Sequence, residues 1–247
     1  MSAFSDLHHD EAPFVLPNAW DHASAAALFG AGFRAMGTTS LGVAVAAGKP
    51  DAEGATRGET VALARSIAPL GLVTVDIESG FGGDIGALAV ELVDAGAVGV
   101  NIEDALGPVE ETAARVAAIK AAAPSLFVNA RTDTYWIGGA DATVEATLAR
   151  ASAYLSAGAD GIFVPGVVDY DEIAALVAGI DAPLNVLMNP AFSLARLASV
   201  GVKRISTGSL LFRAALGATT AFAVAVRDGR ALPELALPSY DEAAALS

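Results

Sequence analysis

Three short segments of this chain concentrate the groups that do chemistry. They read Asp76-Ile77-Glu78-Ser79-Gly80-Phe81-Gly82-Gly83, Asn101-Ile102-Glu103-Asp104 and Asn129-Ala130-Arg131-Thr132-Asp133. Each sits at the end of an apolar, strand-like run. Asp76, Glu78 and Glu103, brought together at neighbouring strand ends, would repel one another if buried without a cation. A hard divalent ion is the simplest remedy, because Mg2+ takes oxygen ligands, keeps several waters and needs only one or two carboxylates. Asp76 and Glu78 are two residues apart, so on an extended segment they are expected to point the same way. The glycines at 80, 82 and 83 allow a tight loop and close approach of a ligand to the backbone. The plainer alternative is that such acids are helix caps and rim charges. Asp84 fits an N-cap, and Asp104, Glu110 and Glu111 fit a solvated rim or a first helical turn.

Arg131 is the basic residue at these strand ends, and an Arg beside acids suits bidentate capture of a carboxylate or phosphoryl group. A buried ion pair with Asp133 or Glu103 is the competing and compatible reading. Several chemistries are excluded by composition. There is no Cys, hence no disulfide scaffold, thiolate zinc site, Fe–S cluster or cysteine nucleophile. The lysines are Lys49, Lys120 and Lys203, none at the end of a strand where a Schiff-base aldolase needs one. His8, His9 and His22 have no metal-ligand spacing, and His22 reads as a surface residue opening a helix. Ser206-Thr207-Gly208-Ser209 could hold a phosphate at a helix N-terminus, or Ser209 could simply cap that helix.

The elements that must position these groups alternate regularly. Strand-like runs fall at 14–17, 35–38, 73–76, 98–102, 127–131, 161–164, 184–187 and 204–206. Ala-rich helical stretches fall near 22–31, 57–68, 84–95, 110–122, 141–157, 169–178, 193–199 and 209–228. Ala31-Gly32, Ala95-Gly96, Ala157-Gly158 and Val200-Gly201 each close a helix just before a strand, where Gly supplies the left-handed terminating residue. The strands are continuously apolar, as in a parallel sheet covered by helices. Eight such units in about 250 residues predict a single-domain (β/α)8 TIM barrel over 1–247. The open doubly wound alternative would show a Gly-rich phosphate fingerprint after its first strand, but that position reads Pro17-Asn18-Ala19-Trp20-Asp21. In a barrel, chemistry belongs at the carboxyl ends of the strands, which also brings in Asn18, Asp21, Thr38, Thr39, Ser40, Asn185 and Asn189.

The net charge of −14 over 247 residues argues against nucleic-acid or anionic-membrane partners. The start of the chain lacks a basic region followed by an apolar run. The apolar stretch 214–226 falls short of the ~18–20 residues that span a bilayer. A soluble, cytoplasmic protein is expected, with the two-proline segment 232–240 running over its surface.

Taken in order, six segments resemble the isocitrate lyase / phosphoenolpyruvate mutase superfamily over nearly the whole chain. They are Leu16-Pro-Asn-Ala-Trp-Asp21, Gly37-Thr-Thr-Ser-Leu-Gly-Val43, Val75-Asp-Ile-Glu-Ser-Gly-Phe-Gly82, Gly99-Val-Asn-Ile-Glu-Asp104, Asn129-Ala-Arg-Thr-Asp133 and Val164-Pro-Gly166. The resemblance implies a TIM barrel whose last helix is exchanged between subunits of a homo-oligomer, a dimer or tetramer. It implies Mg2+ or Mn2+ on Asp76, with Glu78, Glu103 and Asp51 nearby, partly through water. It places the substrate's carboxylate and oxyanion at the Thr39, Ser40 and Leu41 backbone and at Arg131. Trp20 and Asn185 join these as substrate-binding candidates, and Asp51, Arg131 and Glu103 as catalytic ones. The shared chemistry passes through a metal-stabilised enolate of an α-oxo acid.

Departures from the family pattern are equally informative. Isocitrate and methylisocitrate lyases carry a catalytic Cys after the fourth strand, and phosphoenolpyruvate mutases a longer gating loop with Lys and Asn. Here that loop is the short Ala105-Leu-Gly-Pro-Val-Glu-Glu-Thr112. Tyr135 and Trp136 are candidates to line the pocket in its place, with packing at the barrel rim as the alternative. The expected function is a Mg2+-dependent lyase cleaving a C–C bond in a small α-oxo or α-hydroxy acid. Its general acid/base is open among Asp51, Tyr135 and a metal-bound water. P–C chemistry on phosphonopyruvate-like substrates and non-catalytic binding of an oxo acid are the alternatives.

Overall fold

A computed structural model describes residues 2–247. Its strands are β1 (Phe14–Leu16), β2 (Asn18–Ala19), β3 (Ala35–Thr38), β4 (Leu72–Asp76), β5 (Gly99–Glu103), β6 (Phe127–Arg131), β7 (Gly161–Val164), β8 (Leu184–Leu187) and β9 (Arg204–Ser206). All pair in parallel, in the order β1-β9-β8-β7-β6-β5-β4-β3-β2. The expected first strand is split at Pro17. Its first half pairs with β9 and its second with β3. Proline lacks the N–H that a continuous ladder would use, so the interruption falls where it costs least. Counted as one interrupted strand, β1 and β2 close an eight-unit (β/α)8 barrel.

Asn18 seals that seam. Its Oδ1 accepts from Thr207 N (3.1 Å), Thr207 Oγ1 (3.2 Å) and Gly208 N (2.9 Å), and its Nδ2 donates to Thr38 O (2.8 Å). Gly37 makes room for that amide, since a Cβ there would lie 2.6 Å from Asn18 Nδ2. The 206–209 turn is thus committed largely to the chain itself. Ser209 makes no side-chain capping bond.

The helices between strands are α2 (His22–Gly30), α4 (Arg57–Ile67), α5 (Ile85–Asp94), α6 (Val109–Ala122), α8 (Val144–Ser156), α9 (Tyr170–Gly179), α10 (Leu194–Ser199) and α11 (Leu210–Arg227), close to expectation. Asp84 caps α5 through Ala87 N (3.0 Å), and His22 meets Ser66 on the surface. Four short helices had no sequence signal: α1 (Ala3–Leu7), α3 (Ser40–Ala46), α7 (Thr134–Ile137) and α12 (Tyr240–Ala244). At one or two turns they are too short to display a periodicity. The 13-residue apolar stretch expected at 214–226 lies within an 18-residue α11, of which 11% is buried. By length and composition α11 could cross a bilayer, but one such helix is weak evidence.

The floor of the barrel is closed by α1. Phe4 is fully buried and set edge-on to Phe14 and Phe127, and His8 stacks on Phe127 at 4.2 Å. His8 therefore belongs to the core and not to a terminal surface. Its Nδ1–H faces Phe4 O at 3.0 Å. Burial, with the charge of Arg204 second, lowers its pKa to about 3. The folded state holds His8 neutral while the unfolded chain takes up a proton below about pH 6.5, so acidification favours unfolding. His8→Leu should remove this term. Between pH 6.5 and 5 its unfolding free energy, read from urea titrations, should gain on the parent by about 1–2 kcal/mol. A pH-independent difference between the two proteins would refute it.

Candidate active site

At the carboxyl end of the strands a cavity of about 290 Å3 opens. Its wall includes Thr39, Ser40, Leu41, Asp51, Asp76, Glu103 and Arg131, drawn from five different segments. The size is at the small end of ligand pockets, suited to a compact acid.

Asp76 ends β4 and opens into this space. Its Oδ2 accepts weakly from Ser40 N (3.3 Å) and its Oδ1 from Glu78 N (3.3 Å). Burial is the largest influence on its carboxyl and raises its pKa, against Arg131, which lowers it. Glu103 ends β5, and burial pushes its pKa up to about 7 despite Arg131. Arg131, 17% exposed, donates from Nη1 to Glu103 Oε2 (2.7 Å) and from Nε to Asp133 Oδ1 (2.6 Å). The buried ion-pair reading of Arg131 therefore holds. Two N–H groups fix it in place, and three remain of its five donors.

Behind Arg131 lies a network that the sequence did not reveal. Asp104, expected on a solvated rim, is buried. Its Oδ2 accepts from Arg150 Nη1 (2.9 Å) and Tyr154 Oη (2.8 Å) of α8. Its Oδ1 accepts from the backbone N–H groups of Asp133 (3.0 Å) and Leu106 (3.0 Å). Asp133 in turn holds Arg131, so α8 positions the guanidinium through two carboxylates.

Glu78 corrects the expectation that it faces the same way as Asp76. It lies beyond the strand end with φ of 50°, so the alternation of an extended segment does not apply. Its Oε2 accepts from Gly54 N (2.8 Å) and its Oε1 from Thr56 Oγ1 (3.1 Å). It is absent from the cavity wall and instead anchors the loop carrying Asp51. The glycine-rich 80–83 turn packs on the same loop, Phe81 against Gly54, rather than against a ligand space. Asp51 lines the cavity, and its Oδ1 is buried with no hydrogen-bond partner.

Three further expectations are corrected. Trp20 packs on Phe212 of α11 at 5.4 Å, outside the cavity wall. Asn185 lies in a lower layer of the barrel, where its amide is paired with Ser206 Oγ (3.0 Å). Tyr135 turns away towards α9. It is not part of the cavity wall, and burial first, with Glu172 second, pushes its pKa up to about 12. Its neighbour Trp136 does line the cavity, with the Arg131 guanidinium 6.0 Å from its ring centroid. Asn18, Ser206 and Arg204 also reach the wall. Arg204 carried a legible signal, since it is two residues from Ser206 on one strand and so shares its inward face.

Among the described residues no three His, Cys, Asp or Glu side chains form a preassembled metal cage. The donor set nonetheless fits a hard divalent ion that keeps much of its water. Two carboxyls are pushed up by burial, and Asp51, which lines the same cavity, has a buried Oδ1 with no hydrogen-bond partner among the described residues.

The phosphoenolpyruvate phosphomutase family profile matches residues 4–227. An uncharacterized protein of Mycobacterium tuberculosis is 47% identical over 237 residues, 94% of this chain and 91% of its own. The 2-methylisocitrate lyase of Bacillus subtilis is 35% identical over 193 residues, 70% of this chain and 62% of its own. Among solved structures, a phosphonopyruvate hydrolase in complex with oxalate and Mg2+ superposes with a TM-score of 0.85 at 27% identity. It covers 99% of this chain and 93% of its own.

The network behind Arg131 can be tested directly. Tyr154→Phe removes one donor from a buried carboxylate and should cost about 1–3 kcal/mol in urea unfolding. A change under ~0.5 kcal/mol would mean that Asp104 is held adequately without it.

Proposed function

Because this chain belongs to the phosphoenolpyruvate phosphomutase family of the isocitrate lyase / phosphoenolpyruvate mutase superfamily, we propose that it is a divalent-metal-dependent C–C lyase of small α-oxo or α-hydroxy acids. The observation that carries this reading is the convergence of Asp76, Glu103 and Asp51 on one cavity that also receives the fixed guanidinium of Arg131. Asp76 would hold Mg2+ or Mn2+, with Asp51 and Glu103 beside it and Glu78 supporting Asp51's loop. Bound there, the cation supplies positive charge next to the oxygen that becomes negative as the enolate forms.

This chain's own residues do the rest. The free N–H groups of Arg131 clasp the substrate carboxylate, and the backbone at Thr39, Ser40 and Leu41 borders the same space. Ser40 N–H is engaged with Asp76, so it steadies that carboxylate as well. When the C–C bond breaks, its electron pair passes to the α-oxo acid fragment as an enolate, while the other fragment leaves as a carbonyl compound after giving its hydroxyl proton to a base, or as CO2, and a proton then returns to the enolate carbon. Asp51, which lines the cavity, is assigned that proton. Trp136, Ile137 and Pro165 line the cavity as apolar surface and limit water around the reacting atoms.

Assembly enters the proposal through α11. Leu216 and Val226 on it are 47% and 69% exposed, and Phe212 and Ala225 are its buried residues. Exchange of this helix between subunits of a cytoplasmic dimer or tetramer would cover that surface.

Isothermal titration with oxalate, which resembles a pyruvate enolate, tests the reading. The Mg2+-loaded protein should bind oxalate, metal-free protein should not, and Asp76→Ala should weaken binding by about 100-fold or more. A folded, metal-loaded protein that ignores oxalate would sink the enolate mechanism. Oxalate binding with no turnover of any α-oxo acid or phosphonate would leave a binder in place of an enzyme.

A further inference from the structure

Followed along the strand order from β3 to β8, the cavity wall changes character at Arg131. The ends of β3, β4 and β5 bring in Thr39, Ser40, Asp76 and Glu103. The ends of β7 and β8 bring in Pro165 and Leu187, and α7, which follows β6, brings in Trp136 and Ile137. From α7 through β8 the wall holds no charged side chain. Trp136 and Ile137 are 54% and 58% exposed, so they present open surface to whatever enters. The indole ring centroid stands 6.0 Å from the Arg131 guanidinium, close enough for one ligand to touch both.

The short helix α7 is braced in this position. Thr134 Oγ1 lies 2.6 Å from Thr147 Oγ1 of α8, and Asp133 O accepts from Trp136 N and Ile137 N, each at 3.0 Å. The turn after β7 packs directly beneath it, since a Cβ on Gly166 would lie 2.5 Å from Tyr135 O. Two large apolar side chains held in water by a braced turn gain when an apolar group covers them. Deeper polar groups give a second ligand charge no footing. Asn18 is engaged with Thr38, Thr207 and Gly208, Ser206 with Asn185, and Arg204 is 2% exposed. The cavity of about 290 Å3 is the room of roughly ten waters, more than a two-carbon acid and one cation displace.

We propose that Trp136, Ile137, Pro165 and Leu187 form an apolar subsite for the substituent of the oxo acid, so that the preferred substrate is a monocarboxylate whose other end is a short aliphatic or aryl group. This rests on the enolate-lyase reading and narrows its substrate class. The carboxylate sits on Arg131 at the border between the two halves of the wall. The cation and the developing negative oxygen lie on the β3–β5 side, and the substituent lies on the β6–β8 side. A second carboxylate in the substituent's place would lose hydration against apolar side chains and find no cation there.

N-isobutyl oxamate and N-(carboxymethyl) oxamate make a matched pair of probes. Both keep the chelating oxamate end, and their substituents have nearly the same shape, one apolar and one charged. Titration calorimetry of the Mg2+-loaded protein should give the isobutyl compound binding tighter than the carboxymethyl one, and tighter than oxamate itself, by about tenfold or more. In Trp136→Ala and in Ile137→Asn the isobutyl-to-carboxymethyl ratio should fall to within about threefold, and as a ratio it is unaffected by any general loss of affinity. A parent protein that binds oxalate but holds the two compounds alike, or prefers the carboxymethyl one, overturns the apolar subsite and leaves the enolate reading standing, whether or not a variant folds. Variants that both keep the full isobutyl preference overturn it too. A parent that binds neither oxalate nor any oxamate overturns the enolate reading and the subsite together.

Discussion

Asp76, Glu103 and Asp51 share a small space inside a closed barrel, and the electrostatics of that crowding governs much of the design around it. Burial is the largest cause that pushes Glu103 up to about 7, and the neighbouring charges of Asp76, Asp133 and Asp51 add to it. Arg131 offsets part of this charge but is divided between Glu103 and Asp133. What remains is a site that gains when a cation and an anionic ligand enter together, the condition under which an enolate is stabilised.

Such a site works only if its charges are held rigidly, and the surrounding structure supplies that rigidity by hydrogen bonds to the charged groups themselves. Asp104 receives four donors, two from α8 side chains and two from backbone N–H groups, and through Asp133 it fixes Arg131. Glu78 does the equivalent for the loop that carries Asp51. Asp104 and Glu78 do not line the cavity, yet each decides where a residue that does line it will stand. Supporting groups of this kind place reactive atoms more accurately than loops alone can.

The lower half of the barrel obeys a different constraint. Phe4, Phe14 and Phe127 form an apolar seal, and His8 joins it by giving up its charge. Arg204 sits between this seal and the carboxylates. Its pKa is lowered by burial to about 9, so it remains a cation at neutral pH. The barrel interior therefore runs from an apolar floor, through a layer holding a lone cation, to an acidic mouth.

The sequence by itself determined the barrel, because eight apolar runs punctuated by helix-ending glycines admit few other arrangements, and most strands fell where expected. It also determined that Asp76, Glu103, Arg131 and Asp51 belong to one site, through their positions at strand ends and the family resemblance of their segments. Tertiary structure decided which way individual side chains point. Glu78 stands outside the cavity because its backbone turns left-handed two residues beyond the strand. Trp20 and Tyr135 were drawn into helix packing, where aromatic surface is better buried. Asp104 looked like a rim charge and proved internal. A strand end specifies the neighbourhood of a residue, but partners contributed from α8, from β9 and from the floor helix lie tens of residues away, and only the closed barrel brings them within hydrogen-bonding distance.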